Sequence, residues 1–384
     1  MSDDPQHRVY LDATVCAPPL PVAVEAYRAA LDDGWADPRR LHREGRRARL
    51  LLEGAREALA AAVGARTEEV VLTASHARAV HAAVLGTALG GRRRGTRTVC
   101  SAVEHSTVLN ATSHVSGDTA VRVPVDRLGR VDSAQFGDAL DAPDVVLACL
   151  QDANGEVGTR QPVAGVHERA RHAGVPLLVD AAASLGHGPA PQNWDLLTAD
   201  PRAWGGVPGI GLLAVREGVR WRSPDPAHEG TERTADEPSV PAALAAAVAL
   251  QQAVTQVPSP EGLDPRFALV ERIRSAAGAL VDTEVAGDPV DRLPHVVTFS
   301  CLYADGEQLV ERLDRAGFAV GSGSACTAST LEPSHVLAAM GALTHGNVRV
   351  GLPRGTTAAE IDAFCAVLPG ALDDVRALLG AGGL

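Results

Sequence analysis

Cysteine is the side chain in this sequence best suited to nucleophilic work, and the chain carries six: Cys16, Cys100, Cys149, Cys301, Cys326 and Cys365. Cys100, Cys149 and Cys301 lie in or beside apolar runs, where a thiol behaves as a small core residue. Cys326 stands apart. It follows Gly321-Ser322-Gly323-Ser324-Ala325, a stretch too small and flexible to bury a side chain, and an accessible thiol near a cation is the one that ionises and reacts. None of the cysteines forms a Cys-x-x-Cys pair, and no His/Cys cluster has zinc spacing. His76 and His81 are five residues apart, which puts them on different helix faces and argues against a metal pair. Asp180 closes the strand-like run Val175–Asp180, where it can cap or pair with a neighbour. The remaining chemical feature is an absence: all 35 basic residues are arginine, and the chain has no lysine. A Schiff base needs a primary amine that can lose its proton, and a guanidinium stays protonated.

Apolar runs alternate with helical stretches rich in Ala, Arg and Glu. Glu69–Thr73, Thr98–Ser101, Val145–Leu150, Val175–Asp180 and Gly209–Val215 read as buried strands, with Arg47–Val63 and Val163–Ala173 as helices between them. This alternation predicts an α/β layer with helices on both faces. Trp221–Pro241 is polar and rich in Pro, Glu and Thr, as an exposed loop is, and an Ala/Val/Leu helix follows to about Val257. Pro258-Ser259-Pro260 then punctuates the chain. Beyond Asp264 a helix, a strand at His295–Ser300, a helix at Glu307–Ala316, the Gly/Ser loop, a strand at Val348–Val350 and final helices suggest a smaller α+β unit. The expected division is a large α/β domain over 14–258 and a small α+β domain built from 1–13 and 259–384.

A chain of 384 residues with 46% hydrophobic and 21% charged residues has the composition of an ordinary globular protein. Its net charge of −12 argues against nucleic acid as a partner. Arg92, Arg93 and Arg94 with Arg97 form the only tight basic run, read as a solvated loop rather than a polyanion site. No apolar run is long enough to span a bilayer. Met1–Arg8 is polar and lacks the features of a signal peptide, so no membrane association and a cytoplasmic location are expected.

The order of motifs resembles the cysteine desulfurases of the class V aminotransferase family, which depend on pyridoxal phosphate (PLP). The likeness runs through Val9-Tyr10-Leu11-Asp12, Asp37-Pro38 with Leu41-His42-Arg43-Glu44-Gly45-Arg46, and Glu104-His105. It continues in Asn154-Gly155-Glu156-Val157-Gly158-Thr159 with Gln161-Pro162, Val179-Asp180-Ala181-Ala182, Gly323-Ser324-Ala325-Cys326 and Asn347-Val348-Arg349. The resemblance implies the PLP-dependent transferase fold type I: a large, mostly parallel seven-stranded-type sheet domain plus a small C-terminal α+β domain. It also implies a homodimer. By position, His105 matches the histidine that stacks on the cofactor ring, and Asp180 the aspartate that meets the ring nitrogen. Arg349 matches the arginine that forks onto the substrate carboxylate, and Cys326 the loop cysteine that carries sulfur as a persulfide.

Other positions depart from the family's pattern. Counting back from Gly209-Ile210-Gly211 and forward from Asp195-Leu196 puts Ala203 where the family has its lysine, with Asp200 and Arg202 replacing the serine and histidine of that run. The phosphate cradle, a Gly-Ala-Thr run at a helix start, reads Ser75-His76-Ala77, followed by Arg78. Ala183 replaces the glutamine that touches the ring hydroxyl, Gly155 follows Asn154 where a second asparagine is usual, and Thr231–Val240 has no counterpart of the partner subunit's Arg-x-Gly-Thr. The reading is a desulfurase-like protein that has lost PLP chemistry, with no cofactor expected because the anchoring lysine is missing. It acts as a sulfur-relay or regulatory partner through Cys326, and its own partner is an authentic cysteine desulfurase or a sulfur acceptor. An active desulfurase releasing sulfur from L-cysteine and a purely structural or assembly protein are the alternatives. Cys326 is expected to react fastest with a maleimide, well ahead of Cys100, Cys149 and Cys301. Mass spectrometry of briefly labelled native protein checks this, and first label on a core cysteine would refute it.

Overall fold

The apolar runs become strands buried along their whole length. In the computed structural model, which describes residues 8–225, 238–255, 263–322 and 333–378, seven strands form one sheet. Their order is Val70–Thr73, Gly211–Val215, Leu196–Ala199, Leu177–Asp180, Val145–Gln151, Arg97–Ser101 and Val121–Val123. Neighbours are parallel except at Gly211–Val215, which runs antiparallel to both of its partners. Every residue of Val145–Gln151 and of Leu177–Asp180 is buried, as a sheet covered on both faces requires. On one face Ala48, Leu52, Ala55 and Leu59 of helix Arg43–Ala62 meet Ala242, Ala246, Ala249 and Leu250 of helix Val240–Thr255 in a single core. On the other, helix His76–Gly91 supplies Ala79, Val80, Ala83 and Val84 against Leu147, Leu178 and Leu213.

A second core surrounds a three-stranded antiparallel sheet ordered Asn347–Gly351, Val296–Cys301, Thr283–Ala286. Helices Arg266–Gly278, Gly306–Arg315 and Ala358–Leu378 pack there. The strand Val9–Tyr10, the first among the described residues, pairs in parallel with Phe318–Ala319, and Leu11 enters this second core fully buried. The architecture is the α/β fold with a mostly parallel central sheet that the motif order implies.

Several expected boundaries move for local reasons. Glu69 leaves the strand for a short 3-10 turn, Thr67–Glu69, because its carboxylate accepts the backbone N–H groups of Arg66 and Glu217 and pairs with Arg216. The strand expected from Val175 begins at Leu177, after Pro176, which has no N–H to give a ladder. The expected exposed loop after Trp221 is also corrected at its start. Trp221 is half-buried against helix His76–Gly91, its Nε1 donating to Ala82 O at 2.8 Å. Residues 226–237 lie outside the described residues. Val121–Val123, Leu196–Ala199 and Thr283–Ala286 were not expected as strands; each is only three or four residues long, too short for periodicity to register. No helix among the described residues is long and apolar enough to cross a membrane.

One glycine fixes where the sheet meets the site. Gly211 faces Thr73 in the ladder, and a Cβ there would sit 2.2 Å from the carbonyl carbon and oxygen of Ser75. Backbone cannot yield as a side-chain tip does, so only glycine lets the Ser75–His76 turn cross this strand. Gly211→Ala should therefore destabilise the protein by about 1–3 kcal/mol. Gly54→Ala, at a helical site with open space around it, should instead stabilise by up to about 1 kcal/mol. Urea denaturation of the two variants tests the contrast, and equal effects would refute it.

Candidate functional site

Asp180 is the last residue of its strand and is 5% exposed. Three strands away, at the edge of the sheet, the turn after Val70–Thr73 leads into helix His76–Gly91. Ser75 caps that helix, its Oγ accepting the N–H of Arg78 at 3.2 Å. His76 is therefore the first residue of the helix and points back across the strand ends. Its Nε2 lies 2.9 Å from Asp180 Oδ1, and both side chains are buried. The same oxygen accepts the Thr198 hydroxyl at 3.1 Å and the Ala182 N–H at 3.2 Å. Burial alone would raise the Asp180 carboxyl, but the His76 imidazole beside it holds it below the usual carboxylate range. Burial likewise opposes a charge on His76, and Asp180 outweighs that opposition and raises its pKa.

His105 caps the next helix, Ser106–Ser116, its Nδ1 accepting the Thr107 N–H at 3.2 Å. Its ring meets that of His76 edge-on, with centroids 5.9 Å apart and planes at 71°. Burial lowers the His105 pKa, and His76 and His335 lower it further. Glu104, completely buried, accepts the Gln151 N–H through Oε1 at 3.0 Å and leaves Oε2 without a partner. Burial pushes its carboxyl up to about 8, with Asp180 adding to the rise. Asn154 is taken up by backbone: its amide donates to Val103 O at 3.0 Å, and its Oδ1 accepts the N–H groups of Glu156 and Val157.

Arg349, in strand Asn347–Gly351, is 8% exposed and exchanges both backbone hydrogen bonds with Gly321. The carboxylate it faces, Asp12, is 3.8 Å from Nη2, too far for a hydrogen bond. Its Nε has no hydrogen-bond partner among the described residues. A buried guanidinium with an unused donor is equipped to receive an anion. Cys326 lies outside the described residues.

The remaining predicted positions are committed to local structure. Ala203 is fully buried in the 3-10 turn Pro201–Trp204, and its carbonyl accepts His187 Nε2 at 2.9 Å. Asp200 caps that turn and holds Arg202 through Nε at 3.1 Å and Nη2 at 2.6 Å. The turn is an Asp-Pro-Arg sequence, and the same triplet recurs at Asp37–Arg39 and Asp264–Arg266, each closed by the same backbone and fork contacts. Arg78 pairs with Asp225. Ala183 stands beside Gly155, where an added Cβ would meet its methyl at 3.4 Å. Ala77 is exposed.

Sequence reasoning weighed His76 against a metal pair and within the altered cradle run Ser75-His76-Ala77, and missed its bond to Asp180. It also missed Thr198 and His335, whose Nε2 lies 2.9 Å from Glu104 O. The signal for His76 was its place directly after a capping serine at a strand-to-helix turn. Thr198 gave none, because its strand went unrecognised.

Residues 9–364 match the family described as aminotransferase class-V. The chain belongs to the class-V aminotransferase family. It is 34% identical over 387 residues to a cysteine desulfurase of Cereibacter sphaeroides, covering 97% of each chain. It is 29% identical over 384 residues to the cysteine desulfurase IscS of Dictyoglomus turgidum, covering 97% of this chain and 96% of that one. Among solved structures, a NifS-like protein superposes with a TM-score of 0.85 at 24% identity, covering 97% of this chain and 99% of its own. A NifS-like protein from Rickettsia africae does so with a TM-score of 0.83 at 20% identity, covering 96% and 100%. At those identities the structures speak for the fold alone.

Class-V aminotransferases hold PLP through a lysine, a phosphate cradle and an aspartate on the ring nitrogen. The residues present here do not fit that group. The sequence contains no lysine, and Oδ1 of Asp180 already receives His76, Thr198 and Ala182. The run that would cradle a phosphate reads Ser75-His76-Ala77, and its central His76 is buried and turned to Asp180.

The buried Glu104 gives the site a pH signature. Its carboxyl titrates near 4.5 when unfolded and at about 8 when folded. Between those values the folded chain keeps a proton that the unfolded chain has lost, so stability falls as pH rises, by at most about 1.4 kcal/mol per pH unit. Glu104→Gln removes this titration. The melting temperature of the variant relative to the parent should climb between about pH 5 and pH 8. A constant difference across that range would show that Glu104 is not held protonated.

Proposed function

We propose that this chain is a cysteine desulfurase-like protein that does no lysine-linked PLP chemistry and serves as a sulfur-relay or regulatory partner. The observation that carries the reading is the hydrogen bond of His76 to Asp180: an internal imidazole occupies the carboxylate that the family uses to hold its cofactor ring. Without an amine nucleophile, free cysteine cannot be activated for loss of its sulfur. A thiol can still receive sulfur by exchange. The Cys326 thiolate attacks the outer sulfur of a persulfide on another protein, one S–S bond forms as another breaks, and the donor leaves as its thiolate with no net oxidation. Arg349, buried and with an unused donor, is a cation equipped to receive an anionic group. The assembly consistent with the family is a homodimer, or a heterodimer with an authentic desulfurase.

A second reading, an active cysteine desulfurase, draws support from the relatives named as such at 34% and 29% identity over nearly the whole chain. The two readings separate in one experiment. Purified protein is incubated with PLP, dialysed, and assayed by absorbance and by alanine formation from L-cysteine with a thiol reductant. The expected result is no retained visible band and no alanine above a protein-free control. A retained band that a carbonyl reagent abolishes, together with alanine formation, would establish the active enzyme and overturn the first reading.

A further inference from the structure

The N-terminal ends of the parallel strands, opposite the Asp180 site, border a cleft of about 800 Å³. Helix His76–Gly91 has its first residue at the Asp180 site and its last at the cleft. Its 16 residues separate the two regions by about 24 Å. The cleft gathers arginines from three parts of the chain: Arg92, Arg93 and Arg94 after that helix, Arg171 from helix Val163–Ala173, and Arg220 and Arg222 after strand Gly211–Val215.

Arg94 is used structurally, donating to the carbonyls of Ala173 and Gly174 and so closing the end of helix Val163–Ala173. The side chains of Arg92, Arg93, Arg171, Arg220 and Arg222 are exposed and make no hydrogen bond or ion pair among the described residues. The acids on the cleft wall are engaged elsewhere. Asp195 accepts the Leu177 N–H and faces His167, and Glu217 pairs with Arg66. Helix C-termini attract cations, which accounts for arginine at 92–94 and 171 but not at 220 and 222. Those two are positioned by a fitted contact. Gly86 and Gly90 lie one turn apart on the helix, and a Cβ would come within 2.1 Å of the Trp221 ring at Gly86 and 1.9 Å of Arg220 O at Gly90. The Arg222 N–H donates to Gly86 O at 3.0 Å. The segment is seated in a groove that only glycines allow.

We propose that this cleft binds a compact small molecule carrying several phosphate charges, of the size of a nucleoside triphosphate. Guanidinium forks match phosphate oxygens two at a time. The volume lies within the range of small-ligand sites, about 300–1,000 Å³. The recessed shape and the net charge of −12 disfavour a long polyanion, while Leu89, Pro176 and Val219, exposed or half-buried, give apolar wall surface for a planar or aliphatic moiety. The inference does not depend on what happens at Asp180.

Titration calorimetry at low salt tests it, with adenosine triphosphate, inorganic tripolyphosphate, orthophosphate and a duplex DNA as separate probes. Saturable binding of one triphosphate per chain is expected, weaker for orthophosphate and weakened by added salt. Tighter binding of the nucleotide than of tripolyphosphate would assign a role to the apolar wall, and equal binding would assign the affinity to phosphate alone. The double variant Arg171→Ala/Arg222→Ala should bind roughly tenfold or more weakly, while Arg28→Ala, an exposed arginine outside the cleft, should not differ from the parent. Circular dichroism checks that the variants fold, as removal of exposed, unpartnered side chains predicts. No saturable triphosphate binding, undiminished binding in the double variant, or binding of the DNA alone would overturn the proposal.

Discussion

The hydrogen bond between His76 and Asp180 joins the end of a central strand to the start of a helix that rises from the sheet edge. It sits where the parallel strands terminate, where a doubly wound sheet opens a crevice for ligands. Leaving a buried carboxylate there unpaired would cost several kcal/mol. The chain meets that requirement internally, with an imidazole, a hydroxyl and a backbone N–H on one oxygen. Much else follows from it. Gly211 must lack a side chain so that the Ser75–His76 turn can approach, and His105 meets an imidazole edge.

A chain without lysine has only planar, rigid cations to work with, and its local structure reflects that. The Asp-Pro-Arg triplets use proline to fix the backbone while one carboxylate takes both the arginine N–H and its guanidinium fork. This is a geometry that a point-charge ammonium would not close in the same way. One such turn occupies the stretch where the family's lysine is expected. That segment has become a capped, self-paired turn around a buried methyl group.

The fold was largely legible because its strands are long apolar runs and its helices carry clear periodicity, as at Val145–Gln151 and Val163–Ala173. What could not be read was pairing across the sheet. His76 and Asp180 are 104 residues apart, and no local pattern marks which histidine will turn toward which carboxylate. The arginine cleft escaped for the same reason. Arg92–Arg94 alone reads as a solvated loop, and only the packing of Arg220–Arg222 on Gly86 and Gly90 gives that run its neighbours. Burial, too, is a tertiary property: nothing local in Glu104-His105 indicates that the glutamate would be sealed from water.

The pairing of Val9–Tyr10 with Phe318–Ala319 has a consequence for the order of assembly during synthesis. Leu11 leaves the ribosome about 260 residues or more ahead of its core partners from Leu269 to Val375. The large sheet can close on itself while the N-terminal strand waits with its edge and its leucine exposed, so completion of the molecule is a late, long-range event with the entropy cost of closing a very large loop. The segment Val9–Leu11 therefore acts as a latch on the core built by residues 269–375.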